Sequence, residues 1–145
     1  MTAMRPGADL REFLDYVRQH PDAVIATVGP TGEPQAAFLP VAASESGELV
    51  FDARRESRKV ANLAADPRIA LVLGGSDGTT LQCEGIADLP EGDERARLAE
   101  SYAARFPEFA DSLGRPEIVV IRVRPEWSRL GDYRDGAGSV RELRL

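Results

Sequence analysis

The pattern of apolar and polar positions predicts a helix followed by a series of short strands. Leu10, Leu14 and Val17 recur at the spacing of one helix face, and the predicted helix runs from Ala8 to His20 and ends at Pro21. Since one face of this helix is apolar, we expect it to cover part of a core.

The next segments carry the apolar runs or the alternation that is typical of strands, and turn residues separate them. Six strands are predicted: Ala23 to Val28, Gln35 to Ala43, Ser46 to Phe51, Arg68 to Leu73, Thr79 to Ala87 and Ile118 to Val123. A short seventh strand is predicted from Trp127 to Tyr133, and the tail from Val140 to Leu145 has no predicted partner. The first three strands follow one another closely, so we expect an antiparallel meander.

Two further helices interrupt the strands. Ser57 is a favoured N-cap residue, Val60 and Leu63 follow at helical spacing, and Pro67 closes the segment. A longer helix is predicted from Glu91 to Phe106.

The predicted strands from Ile69 to Leu73 and from Ile118 to Ile121 are continuously apolar, so both of their faces need cover. Three helices are too few to cover every strand. We therefore expect a mainly β (α+β) fold: a six- to seven-stranded antiparallel barrel with short flanking helices, in one domain spanning residues 1–145. The outer face of the barrel would pair with a second copy of the chain in a homodimer.

The net charge of −6 and the isoelectric point near 4.9 argue against nucleic acid or an anionic membrane as the main partner. The segment Met1 to Leu10 has no apolar core of signal-peptide length, and no apolar run approaches membrane-spanning length. We expect a cytoplasmic protein.

The chain contains few residues that carry out catalysis by themselves. It has one cysteine, Cys83, which lies in an apolar stretch, and one histidine, His20, at a helix end. These exclude a disulfide, a multi-cysteine metal site and a hydrolytic triad, and the glycines form no nucleotide-binding fingerprint. We assign no metal ligand and no catalytic residue, so redox or transfer chemistry would require an organic cofactor.

A basic cluster marks the start of the second predicted helix. Arg58 and Lys59, the only lysine of the chain, occupy the first turn, where cations oppose the helix dipole. An anion at this helix start would reverse the sign of that interaction, which makes the cluster a candidate phosphate site. The alternative is a solvated charge cluster.

The order of these segments resembles the pyridoxamine 5′-phosphate oxidase-like family of flavin-binding split barrels. The resemblance covers roughly residues 20 to 134 and rests on the combined order of the motifs. The matching motifs are Phe51-Asp-Ala-Arg-Arg-Glu-Ser-Arg-Lys59, Val60-Ala-Asn-Leu63, Asp66-Pro67, Leu81-Gln-Cys-Glu-Gly-Ile-Ala87, Arg105-Phe-Pro107 and Val123-Arg-Pro-Glu-Trp127.

The resemblance implies a homodimer with one FMN per subunit in a groove at the interface. It makes Arg58 and Lys59 the ligands of the FMN phosphate and Ser57 a capping or phosphate donor. Asp52 and Ala53 would lie beside the ribityl chain or ring, mainly through their backbone.

Three more positions are weaker candidates for the cofactor site. Thr80 and Gln82 share one strand face and are candidates to reach the cofactor, or they form an ordinary polar outer face. Trp127 would line the open face of the ring from the partner subunit, or it packs in the barrel.

Two departures from the family pattern change the functional expectation. Ala37 and Ala42 stand where pyridoxamine phosphate oxidases carry an arginine and a lysine for the FMN phosphate. Either the cofactor is bound more weakly here, or Arg54 and Arg55 compensate. The tail also lacks the histidine that helps to bind that substrate. We expect an FMN oxidoreductase that acts on an unidentified small molecule and not on pyridoxamine phosphate.

Two alternatives remain open at this point. One is a deazaflavin-dependent reductase on the same fold. The other is a non-enzymatic flavin- or haem-binding protein, although haem is disfavoured because His20 lies outside the expected groove.

Overall fold

The computed structural model describes residues 7–145. Of the segment Met1 to Leu10, which has no signal-peptide pattern, residues 1–6 therefore lie outside the described residues. Three helices and eight strands follow in the order α1 (Ala8–Gln19), β1 (Asp22–Val28), β2 (Pro34–Pro40), β3 (Ala42–Ala43), β4 (Leu49–Arg54), α2 (Arg58–Ala65), β5 (Arg68–Gly74), β6 (Thr79–Asp88), α3 (Gly92–Arg105), β7 (Ile118–Asp132) and β8 (Ser139–Leu143). Two short 3₁₀ turns, Pro107–Phe109 and Asp111–Gly114, connect α3 to β7.

The strands form one antiparallel sheet in the order β2-β1-β5-β6-β7-β4-β3, with β8 paired to β7. The two ends of this path, β2 and β3, are consecutive in the chain with only Val41 between them. The sheet therefore curls until its ends meet, which gives the expected antiparallel split barrel.

The barrel interior is filled by the inward positions of each strand. Ile25, Leu73, Leu81 and Ile121 are each at most 1% exposed. Helix α1 packs against β3 and β8, α2 against β1 and β6, and α3 against β3, β4 and β7. Among the described residues, β2 and β5 are the strands against which no helix makes a main contact.

The predicted second strand, Gln35 to Ala43, is broken at Val41 in the structure. Pro40 has no backbone N–H to donate, and Val41 instead donates to the carbonyl of Pro21 at 2.8 Å. The meander prediction is otherwise correct, since β2 pairs with β1 and β3 pairs with β4.

The predicted sixth and seventh strands are one continuous strand, β7, and this correction has a local cause. The ladder between β6 and β7 shifts register between Glu84 and Gly85, where Gly85 lies opposite Pro125. A Cβ atom at Gly85 would lie 2.2 Å from the carbonyl oxygen of Arg124. Glycine thus permits the close approach that carries the strand past its proline. The tail, whose partner was not predicted, forms β8 along β7.

Candidate functional site

The start of α2 forms a small pocket with two strands of the barrel. Arg58 and Lys59 line it from the helix, and Thr27 and Gln35 line it from β1 and β2; its volume is about 120 Å³. Ile25, Ala36 and Ala37 complete the lining. No carboxylate lines this pocket within the described part of the chain, so its charged groups are both cations.

The structure confirms α2 and its N-cap position, but Ser57 does not cap the helix with its side chain. Its Oγ atom is buried and has no hydrogen-bond partner within residues 7–145. The Ser57 N–H donates to Arg54 and its carbonyl accepts from Ala61, so its backbone is satisfied. A buried hydroxyl usually has a hydrogen-bond partner, and this one precedes two cations in the chain. An anion bound at the helix start would supply a partner for these groups.

The pocket rests on a buried polar contact between α2 and the barrel. Asn62 Nδ2 donates to Thr27 Oγ1 at 3.0 Å and to Gln35 Oε1 at 2.9 Å. These bonds fix the helix start against β1 and β2. None of these three residues was assigned a role from the sequence, although Thr27 is the polar residue among the inward-facing positions of β1, beside Ala23 and Ile25.

Glu33 contacts this group of residues through Gln35, and its carboxylate is already occupied. It accepts hydrogen bonds from the backbone and hydroxyl of Thr31 and from Gln35 Nε2. The Thr31 hydroxyl is the main cause that lowers the pKa of the Glu33 carboxyl, and the Arg58 charge lowers it further. Glu33 is therefore ionised at neutral pH without forming an ion pair with Arg58.

Strand β4 leads into α2 with one edge open. All six of its residues pair with β7, whereas β3 pairs with Leu49 and Val50 alone. The other edge of the strand from Phe51 to Arg54 has no strand partner among residues 7–145. Backbone groups of successive residues face opposite edges of a strand, and Ala53 faces β7, as does Arg55, whose N–H donates to the Glu117 carbonyl. The backbone groups of Asp52 face the open edge and are free to bind a ligand.

The side chains of these β4 residues lie elsewhere. Asp52 accepts a hydrogen bond from the Tyr102 hydroxyl at 3.1 Å, and Ala53 is buried in the core. Arg54 is exposed and Arg55 donates to the carbonyl of Pro116 at 3.4 Å, and neither lines the pocket. The expected compensation for Ala37 by Arg54 and Arg55 stays a prediction.

Gln82 and Trp127 lie on a different surface, the outer face of the sheet. This outer face consists of two cross-strand rows: Phe38, Val24, Val72, Gln82 and Arg129, and beside it Ala36, Ala26, Ala70, Glu84 and Trp127. Phe38 is 71% exposed and Val24 is 39% exposed. Gln82 accepts from Arg129 at 3.2 Å, and the Arg129 guanidinium lies 5.6 Å from the Trp127 ring centroid.

Thr80 lies at the far end of β6 from α2. It pairs with Gly74 at the end of β5, whereas α2 leads into Arg68 at the start of that strand. Along a strand these six positions correspond to about 20 Å. The structure therefore brings together Ser57, Arg58 and Lys59, and separates Gln82, Trp127 and above all Thr80 from them within one chain.

The only histidine of the chain lies outside this site. His20 stacks on Tyr16, its Nδ1 lies 3.2 Å from the Tyr16 carbonyl, and its Nε2 lies 2.7 Å from Asp77. Both ring nitrogens are occupied. No group of three or more His, Cys, Asp or Glu residues in the described part could hold a metal ion, and no helix there is long and apolar enough to cross a membrane.

Comparison with solved structures identifies similar folds. The chain is similar to the haem-binding protein from Mycobacterium smegmatis, with a TM-score of 0.79 and 21% identity over 97% of this chain and 59% of that chain. It is similar to Rv2991 from Mycobacterium tuberculosis, with a TM-score of 0.73 and 25% identity over 92% and 93% of the two chains. It is also similar to HutZ, the haem storage protein from Vibrio cholerae, with a TM-score of 0.67 and 21% identity over 85% and 92%.

The chain thus spans 59% of the length of the Mycobacterium smegmatis protein. A search of curated protein sequences gives no match. The model of the family described as pyridoxamine 5′-phosphate oxidase matches residues 9–130, which is well over half of the chain. This match includes all of β1 to β6 and α2 with its basic start, and the chain therefore belongs to the pyridoxamine 5′-phosphate oxidase family.

Proposed function

We propose that this protein binds FMN as a homodimer and acts as an oxidoreductase on a small molecule. The observation that carries the proposal is the pair of cations, Arg58 and Lys59, in a pocket without a carboxylate at the start of α2. Ser57 precedes them and does not line the pocket, but its buried Oγ has no partner within residues 7–145. The two cations suit a phosphate monoester, and the Ser57 hydroxyl is a further candidate donor to it. The open edge of β4 would hold the ribityl chain next to it.

The size of the pocket supports a dimeric site. Its volume of about 120 Å³ is room for a phosphate group, whereas pockets for whole small molecules measure about 300–1,000 Å³. The rest of a flavin must therefore lie outside the pocket. A second copy seated on the outer face would bring its own Gln82 and Trp127 towards the cofactor of the first.

FMN, when bound, supplies the electron or hydride transfer that the side chains of this protein do not. The protein would hold the phosphate, fix the ring position and exclude water through the partner subunit. Cys83 contributes no thiolate, because burial raises the pKa of its thiol to about 12.

Pyridoxamine phosphate is not the substrate we propose. The tail from Val140 to Leu145 carries no histidine for that substrate, and neither Ala37 in the pocket nor the buried Ala42 adds a charge for a second phosphate. Incubating flavin-loaded protein with pyridoxamine phosphate under air should give neither pyridoxal phosphate nor peroxide, whereas reduced nicotinamide or another reductant should bleach the flavin. Rapid, saturable pyridoxal phosphate formation would contradict this substrate assignment, and failure of every reductant would favour a non-enzymatic flavin-binding protein.

Haem binding is the second candidate, because two similar folds carry that description. Against it stands His20, whose ring nitrogens are both occupied far from the α2 pocket. The absorption spectrum of the purified protein distinguishes the two groups, and the mass of what heat releases distinguishes FMN from a deazaflavin.

The binding site itself is tested by Arg58→Ala combined with Lys59→Ala. Each charge-assisted contact contributes about 1.5–3 kcal/mol, so we expect FMN affinity to fall by at least a hundredfold while the fold is retained. The control is Arg11→Ala with Arg144→Ala, which removes the same charge from two exposed arginines near α1. Near-normal FMN binding by the Arg58/Lys59 variant would exclude this site.

A further inference from the structure

Beneath the pocket, Asn62, Thr27 and Gln35 form a hydrogen-bonded trio that joins three elements. Asn62 is 5% exposed and Thr27 is 4% exposed. Thr27 and Gln35 are direct cross-strand partners on β1 and β2, and Asn62 reaches both from α2. Since buried polar groups need partners, the direction of each bond in this trio determines what its members offer to the pocket.

The direction is set by Glu33, whose ionised carboxylate can only accept. Because Gln35 Nε2 donates to Glu33, Gln35 turns its Oε1 towards Asn62, and the Asn62 amide nitrogen donates one hydrogen to Gln35 Oε1 and the other to Thr27 Oγ1. Both partners act as acceptors towards Asn62. The Thr27 hydroxyl hydrogen and the Gln35 NH₂ group are therefore turned away from Asn62.

These hydrogens are incompletely used inside the protein. Gln35 Nε2 donates to Glu33 Oε1 at 3.3 Å, which occupies one of its two hydrogens. No acceptor for the other, or for the Thr27 hydroxyl hydrogen, occurs within residues 7–145. Both side chains line the same pocket as Arg58 and Lys59. The polar side chains of the lining thus present donors to a ligand.

We infer that Asn62 is a positioning residue that makes Thr27 and Gln35 donors to the phosphate group bound at the start of α2. This inference rests on the proposed phosphate site and adds two neutral ligands to its two cations. They lie next to Ala37, which follows Gln35 on the same face of β2 and supplies no charge. The site then selects an anion by hydrogen-bond direction as well as by charge.

The sharpest test compares FMN with riboflavin, which lacks the phosphate. Thr27→Val removes the hydroxyl and keeps the shape, whereas Thr27→Ser keeps the hydroxyl. We expect Thr27→Val to lower the preference for FMN over riboflavin by about tenfold or more, with riboflavin binding unchanged, and Thr27→Ser to retain the preference. Equal losses for both flavins, or no loss for either, would overturn the inference.

Asn62→Asp tests the positioning role directly. The aspartate carboxylate accepts hydrogen bonds and donates none, so Thr27 and Gln35 would have to turn their hydrogens towards it. The FMN preference should then fall further than in Thr27→Val, because the added negative charge also repels phosphate. A retained preference would contradict the positioning role.

Inorganic phosphate separates this inference from the flavin proposal. Titration of flavin-free protein with phosphate, followed by ³¹P NMR, should show binding that Thr27→Val weakens and Thr27→Ser does not. This result supports the donor set even if no flavin binds. Absence of phosphate binding by the unaltered protein, together with absence of flavin binding, would overturn it.

Discussion

At the scale of single residues, substitution of Ser57 should affect ligand binding and not the stability of the fold. Replacing a serine N-cap by alanine usually costs about 0.5–2 kcal/mol, because a side-chain hydrogen bond to the helix is lost. The Ser57 side chain makes no such bond, and its oxygen is buried without a partner. Ser57→Ala should therefore leave the thermal stability of the flavin-free protein unchanged or slightly higher.

The same variant should bind FMN about tenfold to a hundredfold more weakly, since one hydrogen bond to a charged group is lost. Thermal unfolding without flavin and a fluorescence titration with FMN measure the two effects. Reduced stability with unaltered FMN affinity would show that Ser57 is an ordinary cap.

Cys83 gives a second prediction at this scale. The side chain is 1% exposed, and burial raises the pKa of its thiol to about 12. We expect an aromatic disulfide reagent to leave the native protein unlabelled at pH 8 and to label one thiol per chain in denaturant. Rapid labelling of the native protein would show that β6 opens easily.

At the scale of secondary-structure elements, Arg122 ties α3 to the sheet. Its side chain is 8% exposed, and it donates to both carboxylate oxygens of Asp88, at 2.8 and 2.6 Å, and to Glu94 at 2.8 Å. Removing one partner of a buried pair costs about 3–5 kcal/mol, and the exposure of the carboxylates places this case near the lower value. Arg122→Gln should lower the free energy of unfolding by about 3 kcal/mol.

Arg124 provides the matched control for this prediction. It also contacts Asp88, at 3.3 Å, but its side chain is 56% exposed. Arg124→Gln should cost less than about 1 kcal/mol, as is usual for surface pairs. Equal costs for the two variants in urea unfolding would contradict the assigned role of Arg122.

Glu48 adds a pH dependence at the same junction. Hydrogen bonds from Arg97, followed by those from Ser44 and Ser46, lower the pKa of its carboxyl from 4.5 to about 2. A carboxyl with a lowered pKa in the folded state stabilises the protein above its ordinary pKa, and this contribution is lost as pH falls through the folded value. Stability should therefore decrease between about pH 4.5 and pH 2, and Glu48→Gln should decrease less steeply there. An identical decrease of stability with pH in the two proteins would show that Glu48 does not contribute to this pH dependence.

The elements show what a sequence can predict here. Helix α2 was predicted because its signals are local: Ser57 before it, Val60 and Leu63 within it, and Pro67 after it. The union of two predicted strands into β7 depends on Gly85 in another strand, which no local pattern contains. The basic half of the site was predicted for the same local reason. The roles of Thr27, Gln35 and Asn62 were not predicted, because Asn62 is 35 residues from Thr27 and 27 residues from Gln35 in the chain.

At the scale of the whole molecule, the outer face remains the uncovered surface. The continuously apolar segment from Ile69 to Leu73 in β5 buries Ile69, Leu71 and Leu73 inward and leaves Ala70 and Val72 half-buried on the outside. Beside them Phe38 and Val24 are exposed. Contiguous apolar surface of this kind marks an interaction site, and a second copy is the partner we propose.

Phe38→Glu tests this partner and the shared cofactor site together. A charge buried within an apolar interface is not compensated, so we expect the variant to be a folded monomer at micromolar concentration. Val140→Glu is the matched control, because Val140 is also exposed but lies on β8, beyond both cross-strand rows of the outer face. Light scattering measures the oligomeric state, and an FMN titration measures binding.

If the site lies between two copies, the Phe38 variant should lose most of its FMN affinity and the Val140 variant should keep it. A Phe38 variant that stays dimeric would place the interface elsewhere, and a monomer that still binds FMN tightly would show that one chain holds the cofactor alone.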